Sequence, residues 1–144
     1  VVSIPAKPFR VLIVDDDAAS RETAAAILEA DFEVFTESSP LRAAERVATE
    51  QFHVACIDRE MPGMNGEELL RLIRERSPTT GTLMITGAPH DASAALRSDP
   101  ELVAILGKPF DPNRLVRLVE QLARLSEMRQ TLARSARPPT RRPV

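Results

Sequence analysis

Five short apolar runs, each closed by polar or turn-forming residues, constrain this chain more than any other feature. They fall at residues 11–14 (VLIV), 32–36 (FEVFT), 53–57 (HVACI), 82–86 (TLMIT) and 102–106 (LVAIL). The second alternates weakly, whereas the other four carry no Asp, Glu, Lys or Arg, as strands buried on both faces do. Helical stretches separate them at residues 20–30, 40–49, 67–76 and 91–97, and a last one starts after Asp111. Ser39-Pro40 and Asp111-Pro112 each read as an N-cap followed by Pro at the first helical position. Asn65 with Glu68 reads as an N-cap and capping box, and Ser77-Pro78 as a stop. Asp31 follows the first helix, where a left-handed residue is often required and Asp is tolerated. Strand and helix alternating five times predict right-handed crossovers. The expected fold is α/β: a doubly wound, five-stranded parallel sheet in a three-layer α/β/α sandwich.

In such a sheet the C-terminal ends of the strands share one edge, which is where ligands bind. Polar residues stand at that end of four runs: Asp15 and Asp16, Asp58, Thr86 and Lys108. One helix cap needs one acid, and the run Asp15-Asp16-Asp17 exceeds that need even if Asp17 or Ser20 does the capping. Two carboxylates at ~4 Å repel by about 4 kcal/mol at an effective dielectric near 20. Three would strain a domain whose whole stability is roughly 5–15 kcal/mol. A counter-cation relieves this, and an all-oxygen site of carboxylates and waters suits Mg²⁺.

Composition excludes other classes. The chain has 144 residues, a formal net charge of −2, and neither Tyr nor Trp, so neither a basic nucleic-acid surface nor an aromatic stacking platform is expected. The single cysteine, Cys56, lies in an apolar run and reads as a buried, inert thiol. No 18-residue apolar run or signal peptide stands out, so a cytoplasmic protein without membrane contact is expected. His53 and His90, the only histidines, are expected at a strand edge and in a loop, with no phosphohistidine role.

The motifs VDDD, DREMPGMNG, ITGA and GKPF resemble the receiver domains of bacterial two-component response regulators, from about residue 10 to residue 125. The resemblance implies a flavodoxin-like strand order 2-1-3-4-5 and phosphoryl transfer from a sensor histidine kinase onto Asp58. It implies Mg²⁺ held by Asp15, Asp16, Asp58 and the backbone carbonyl of Glu60, with Thr86 and Lys108 contacting the phosphoryl group. It also implies a cis Lys108–Pro109 bond, an effector domain or downstream protein as partner, and no enzymatic activity beyond the domain's own phosphorylation and dephosphorylation. One departure is Ile105, where the family often has an aromatic switch residue. Gly87 matches a position where small residues leave the site open to partners. The alternatives are a haloacid-dehalogenase-like phosphatase with Asp15 as nucleophile, and a degenerate receiver that docks without phosphate. The first leaves the motif after Asp58 unexplained and finds Ala19 where it needs Thr or Val.

Residues 1–9 read as a lead-in and 10–125 as the receiver domain. Residues 126–134 read as a helical extension, and 135–144 as a disordered Arg/Pro-rich tail or linker. Leu115, Leu118, Leu122, Leu125 and Leu132 fall at alternating three- and four-residue spacings with Arg129 in the one polar slot, so the last helix is expected to run to residue 134. Its first half is expected to cover the sheet. The remainder would continue toward an effector or pair weakly in a homodimer.

Overall fold

A computed structural model describes residues 8–91 and 101–136. Its strands are β1 (Arg10–Val14), β2 (Glu33–Glu37), β3 (Val54–Asp58), β4 (Gly81–Thr86) and β5 (Val103–Gly107). Its helices are α1 (Ala18–Leu28), α2 (Pro40–Thr49), α3 (Gly66–Arg76) and α4 (Pro112–Ser135). The strands form one sheet in the order β2-β1-β3-β4-β5, every neighbouring pair parallel. The helix expected over residues 91–97 lies outside the described residues past Asp91, which itself ends a 3₁₀ turn over Pro89–Asp91.

Alternation along the strands splits the core into two layers. Val11, Ile13, Cys56 and Leu83 face α1 and α4, whereas Leu12, Val14, Ile57 and Met84 face α2 and α3. Both faces of the central strands are therefore apolar, which is why their runs carry no charge. Asp17, Ser39, Asn65 and Asp111 cap α1, α2, α3 and α4 with side-chain oxygens that accept backbone N–H groups. The turn after α1 differs from expectation. Among the described residues none but glycine has positive φ, so Asp31 is not left-handed. Instead the amides of Asp31 and Phe32 share the Leu28 carbonyl at 3.2 and 3.0 Å.

Helix α4 is one continuous rod of 24 residues, roughly 36 Å long at 1.5 Å per residue. Its buried face is Leu115, Val119, Leu122, Ala123, Ser126 and Gln130, which keeps Leu115 and Leu122 of the leucine stripe read from the sequence and leaves its other leucines less covered. Leu118 and Leu125 are only half-buried, and Leu132 is exposed. A straight helix on a sheet buries a 3.6-residue period, and the leucines follow the 3.5-residue period of a coiled coil. The end of α4 docks through polar groups. Gln130 Nε2 donates to Ser126 Oγ at 2.9 Å and to the Phe52 carbonyl at 3.4 Å. His53, expected at an exposed edge, is buried beneath this helix: Nδ1 accepts from the Arg10 amide at 3.0 Å and Nε2 lies 2.7 Å from Glu127 Oε2. Among the described residues no helix is long and apolar enough to cross a membrane.

Candidate functional site

Strand register assembles the site. Val14 of β1 pairs with Ile57 of β3, so the next residues, Asp15 and Asp58, emerge side by side where the chain's direction of winding reverses. Thr86 ends β4 and pairs with Gly107 of β5, which puts Lys108 at the same edge. Asp15, Asp16, Asp58, Thr86 and Lys108 thus converge from four strands, with Glu60 in the loop after β3.

Asp15 and Asp58 are each only 7% exposed, whereas Asp16 is exposed. Carboxylate oxygens of the three lie within 4.8 Å of one another. Burial pushes the Asp15 carboxyl up to about 6. A hydrogen bond from the Asp17 amide (2.9 Å) opposes this, and the Asp58 carboxylate reinforces it. Asp58 Oδ1 accepts from Lys108 Nζ at 3.1 Å and from the Glu60 amide at 3.3 Å. Three acids therefore face one ammonium, whose side chain is 37% exposed. The cluster is short of positive charge, and its donors are all hard oxygens, so it fits a small divalent cation.

Thr86 is fully buried, yet its hydroxyl donates outward to Glu60 Oε1 at 2.6 Å and accepts from the Ala88 amide at 3.0 Å. Burial alone would raise the Glu60 carboxyl. The Thr86 hydrogen bond and the nearby Lys108 charge outweigh it and hold the group below its ordinary range. The Lys108–Pro109 bond is cis. Ile105 is half-buried against the α2 and α3 layer. A Cβ built on Gly87 would meet nothing within 4 Å, so that side of the site is open.

Two features had no sequence signal. Arg59 lies across the loop after β4, and nothing in the motif separates it from any exposed arginine. A cavity of about 470 Å³ also opens below the acids, between α1 and the start of α4, lined by Ile13, Ala24, Ile27, Ile85 and Phe110 among others. Alanine-rich α1 leaves it unfilled.

The chain is similar to known proteins in sequence and in fold. The family described as response regulator receiver domain matches residues 11–120. A protein-glutamate methylesterase/protein-glutamine glutaminase of Anaeromyxobacter dehalogenans is 37% identical over 108 residues, covering 72% of this chain and 30% of that protein. The response regulator protein FleR of Pseudomonas aeruginosa is 37% identical over 117 residues, covering 79% and 24%. The chain thus spans under a third of either relative. A crystal structure of a CheY-like response regulator receiver domain protein from Methanospirillum hungatei superposes with a TM-score of 0.72 at 29% identity, covering 84% of this chain and 98% of that one.

Proposed function

The chain belongs to the response regulator receiver domain family, and on that premise we propose that Asp58 is the residue that accepts the phosphoryl group. The observation that carries the assignment is the contact between Lys108 Nζ and Asp58 Oδ1, made inside a cluster of three acids at the sheet's C-terminal edge. An oxygen of Asp58 attacks phosphorus carried on a histidine imidazole of a sensor kinase. A P–O bond forms, the P–N bond breaks, and the imidazole leaves with the electron pair.

Such a transfer needs positioning and neutralisation of spreading negative charge more than covalent help. Lys108 supplies one fixed positive charge. A magnesium ion held by Asp15, Asp16, Asp58 and the Glu60 carbonyl would neutralise charge on the transferred oxygens. Thr86 offers a hydroxyl proton to the phosphoryl group once formed. The domain catalyses nothing beyond its own phosphorylation and dephosphorylation. It passes the signal, in the cytoplasm, to an effector domain or downstream protein, with no membrane or direct nucleic-acid contact of its own. A weak homodimer through the exposed end of α4 is part of this reading.

The phosphatase alternative needs both Asp15 and Asp17 for chemistry. Asp17 is instead the cap of α1, its carboxylate accepting the Ser20 amide at 2.9 Å. Asp111 likewise caps α4. The intact acid cluster and the Lys108 contact oppose a phosphate-independent docking module. Incubation with acetyl phosphate and Mg²⁺ should add one phosphoryl group by intact mass, and none to Asp58→Asn. Equal labelling of that variant, or labelling at Asp15, would overturn the assignment.

A further inference from the structure

The loop that follows Thr86 is held by two consecutive residues of the loop after β3. Arg59 Nη1 donates to the Ala88 carbonyl at 3.0 Å, and Nη2 donates to the Asp91 carbonyl at 2.8 Å. Glu67 Oε1 lies 3.0 Å from the same Nη2 and pairs with the guanidinium by charge from α3. Glu60, next in sequence, holds Thr86 by its hydroxyl. The pair spans a crevice of about 370 Å³ lined by Arg59, Glu60, Asn65, Glu67, Ala88 and Asp91.

One side of this crevice is rigid. The Arg59 amide donates to the Ile85 carbonyl at 2.9 Å, and the Arg59 carbonyl accepts the Gly66 amide at 3.1 Å, so its backbone is built into the sheet and the start of α3. On the other side, the described part of the loop, Gly87–Asp91, has one internal backbone bond, from the Asp91 amide to the Ala88 carbonyl at 3.1 Å. Besides Pro89, which packs on Gly107 of β5, and the Ala88 amide, which donates to Thr86, the bonds that hold it come from Arg59 and Glu60.

A hydroxyl has one proton to donate. While Thr86 gives it to Glu60, it cannot give it to a phosphoryl oxygen on Asp58. Glu60 is an exposed side chain, so losing the bond returns its carboxylate to water at little cost, whereas buried Thr86 must find another acceptor.

We propose that Arg59 and Glu60 form a clasp that holds Thr86 and the loop behind it in the unphosphorylated position, so that Glu60 competes with the phosphoryl group for the Thr86 proton. Glu60 is in this respect a positioning residue, acting through Thr86. The inference rests on the phosphoacceptor reading and adds to it the contact that opposes the switch.

The test uses the full chain with Mg²⁺ and beryllofluoride as the phosphoryl analogue, and backbone amide NMR of Gly87 and Ala88. Glu60→Ala removes the acceptor. It should bind beryllofluoride about tenfold tighter, the worth of one hydrogen bond to a charged group. Its loop amides should move toward their analogue-bound positions before any analogue is added. Glu60→Gln removes the charge but keeps an oxygen that accepts from Thr86, so its loop amides should stay at wild-type positions. In a Thr86→Ala background, Glu60→Ala should add no further change.

Wild-type affinity and amide positions in Glu60→Ala overturn the clasp. So do matching shifts in Glu60→Gln, which would make charge alone the cause, and a full Glu60→Ala effect without Thr86. If the wild-type protein binds no beryllofluoride, the phosphoacceptor reading fails instead, while the analogue-free amides of the Ala and Gln variants still decide whether Glu60 holds Thr86.

Discussion

The imidazole of His53 and the carboxylate of Glu127, 74 residues apart in sequence, meet at 2.7 Å at the end of the sheet opposite the acidic cluster. Because Nδ1 accepts from the Arg10 amide, the neutral ring carries its proton on Nε2, which donates to Glu127. One buried side chain thus ties β1 to the last helix. His53→Ala should leave a buried backbone N–H without its partner and lower stability by about 1–3 kcal/mol in urea unfolding. The Arg10 amide and the amides of residues 126–131 should lose hydrogen-exchange protection, with phosphorylation of Asp58 intact. Unchanged protection would show that α4 holds its place without this bond.

The acidic cluster makes stability depend on pH and metal together. Asp15 titrates near 6 in the native state against 3.8 for the free side chain. A raised acid of this kind stabilises the fold fully below pH ~4 and loses that contribution as pH rises through about 6, by at most about 3 kcal/mol. In chelator, the wild-type protein should therefore weaken between pH 4.5 and 7.5 relative to Asp15→Asn. At pH 7.5, millimolar Mg²⁺ should raise the wild-type melting temperature, by the equivalent of roughly 2.7 kcal/mol at a hundred times its Kd. Asp15→Asn and Asp16→Asn should each lose most of that rise. The metal-free gain should be larger for buried Asp15 than for exposed Asp16. A stability difference that stays flat with pH would count against a strained cluster.

Gly66 starts α3 against the strand that carries Asp58. A Cβ there would lie 2.6 Å from the Arg59 Cα and 2.9 Å from the Asp58 carbonyl oxygen, backbone atoms that cannot step aside alone. Gly66→Ala should cost roughly 1–3 kcal/mol by overpacking and slow phosphorylation by acetyl phosphate, because the displaced strand end carries the acceptor. Wild-type stability and rate would mean that the helix start can shift without moving Asp58.

Met128 and Leu132 are 60% and 62% exposed, four residues apart on one side of α4. Sedimentation velocity at about a hundred micromolar should show self-association that strengthens with beryllofluoride and disappears in Met128→Glu/Leu132→Glu. These substitutions spare Ser126 and Gln130, which a truncation would remove along with their burial against the sheet. A monomer under all conditions would leave α4 as a linker toward an effector only.

Much of this is legible in the amino-acid sequence. Apolar runs such as VLIV and HVACI mark strands because burial on two faces excludes charge, and the Ser39-Pro40 and Asp111-Pro112 caps mark helix starts because orphan amides need an acceptor. Once strands and helices alternate, a parallel sheet follows, and with it the convergence of Asp15, Asp58, Thr86 and Lys108 on one edge. The sequence by itself thus determined which residues meet.

What it left open is which groups touch, because that depends on register, helix rotation and loop path. The leucine stripe of α4 placed Leu115 and Leu122 in the core, and packing added a face that buries Val119, Ala123, Ser126 and Gln130. His53 looked like an edge residue until α4 covered it. Glu60 was named for its backbone carbonyl, while its side chain found Thr86 across two loops whose separation no local pattern encodes. Local chemistry acts over a few neighbouring residues and can be read from a string. Contacts between residues 26 or 74 positions apart exist only once the sheet sets the distances between them.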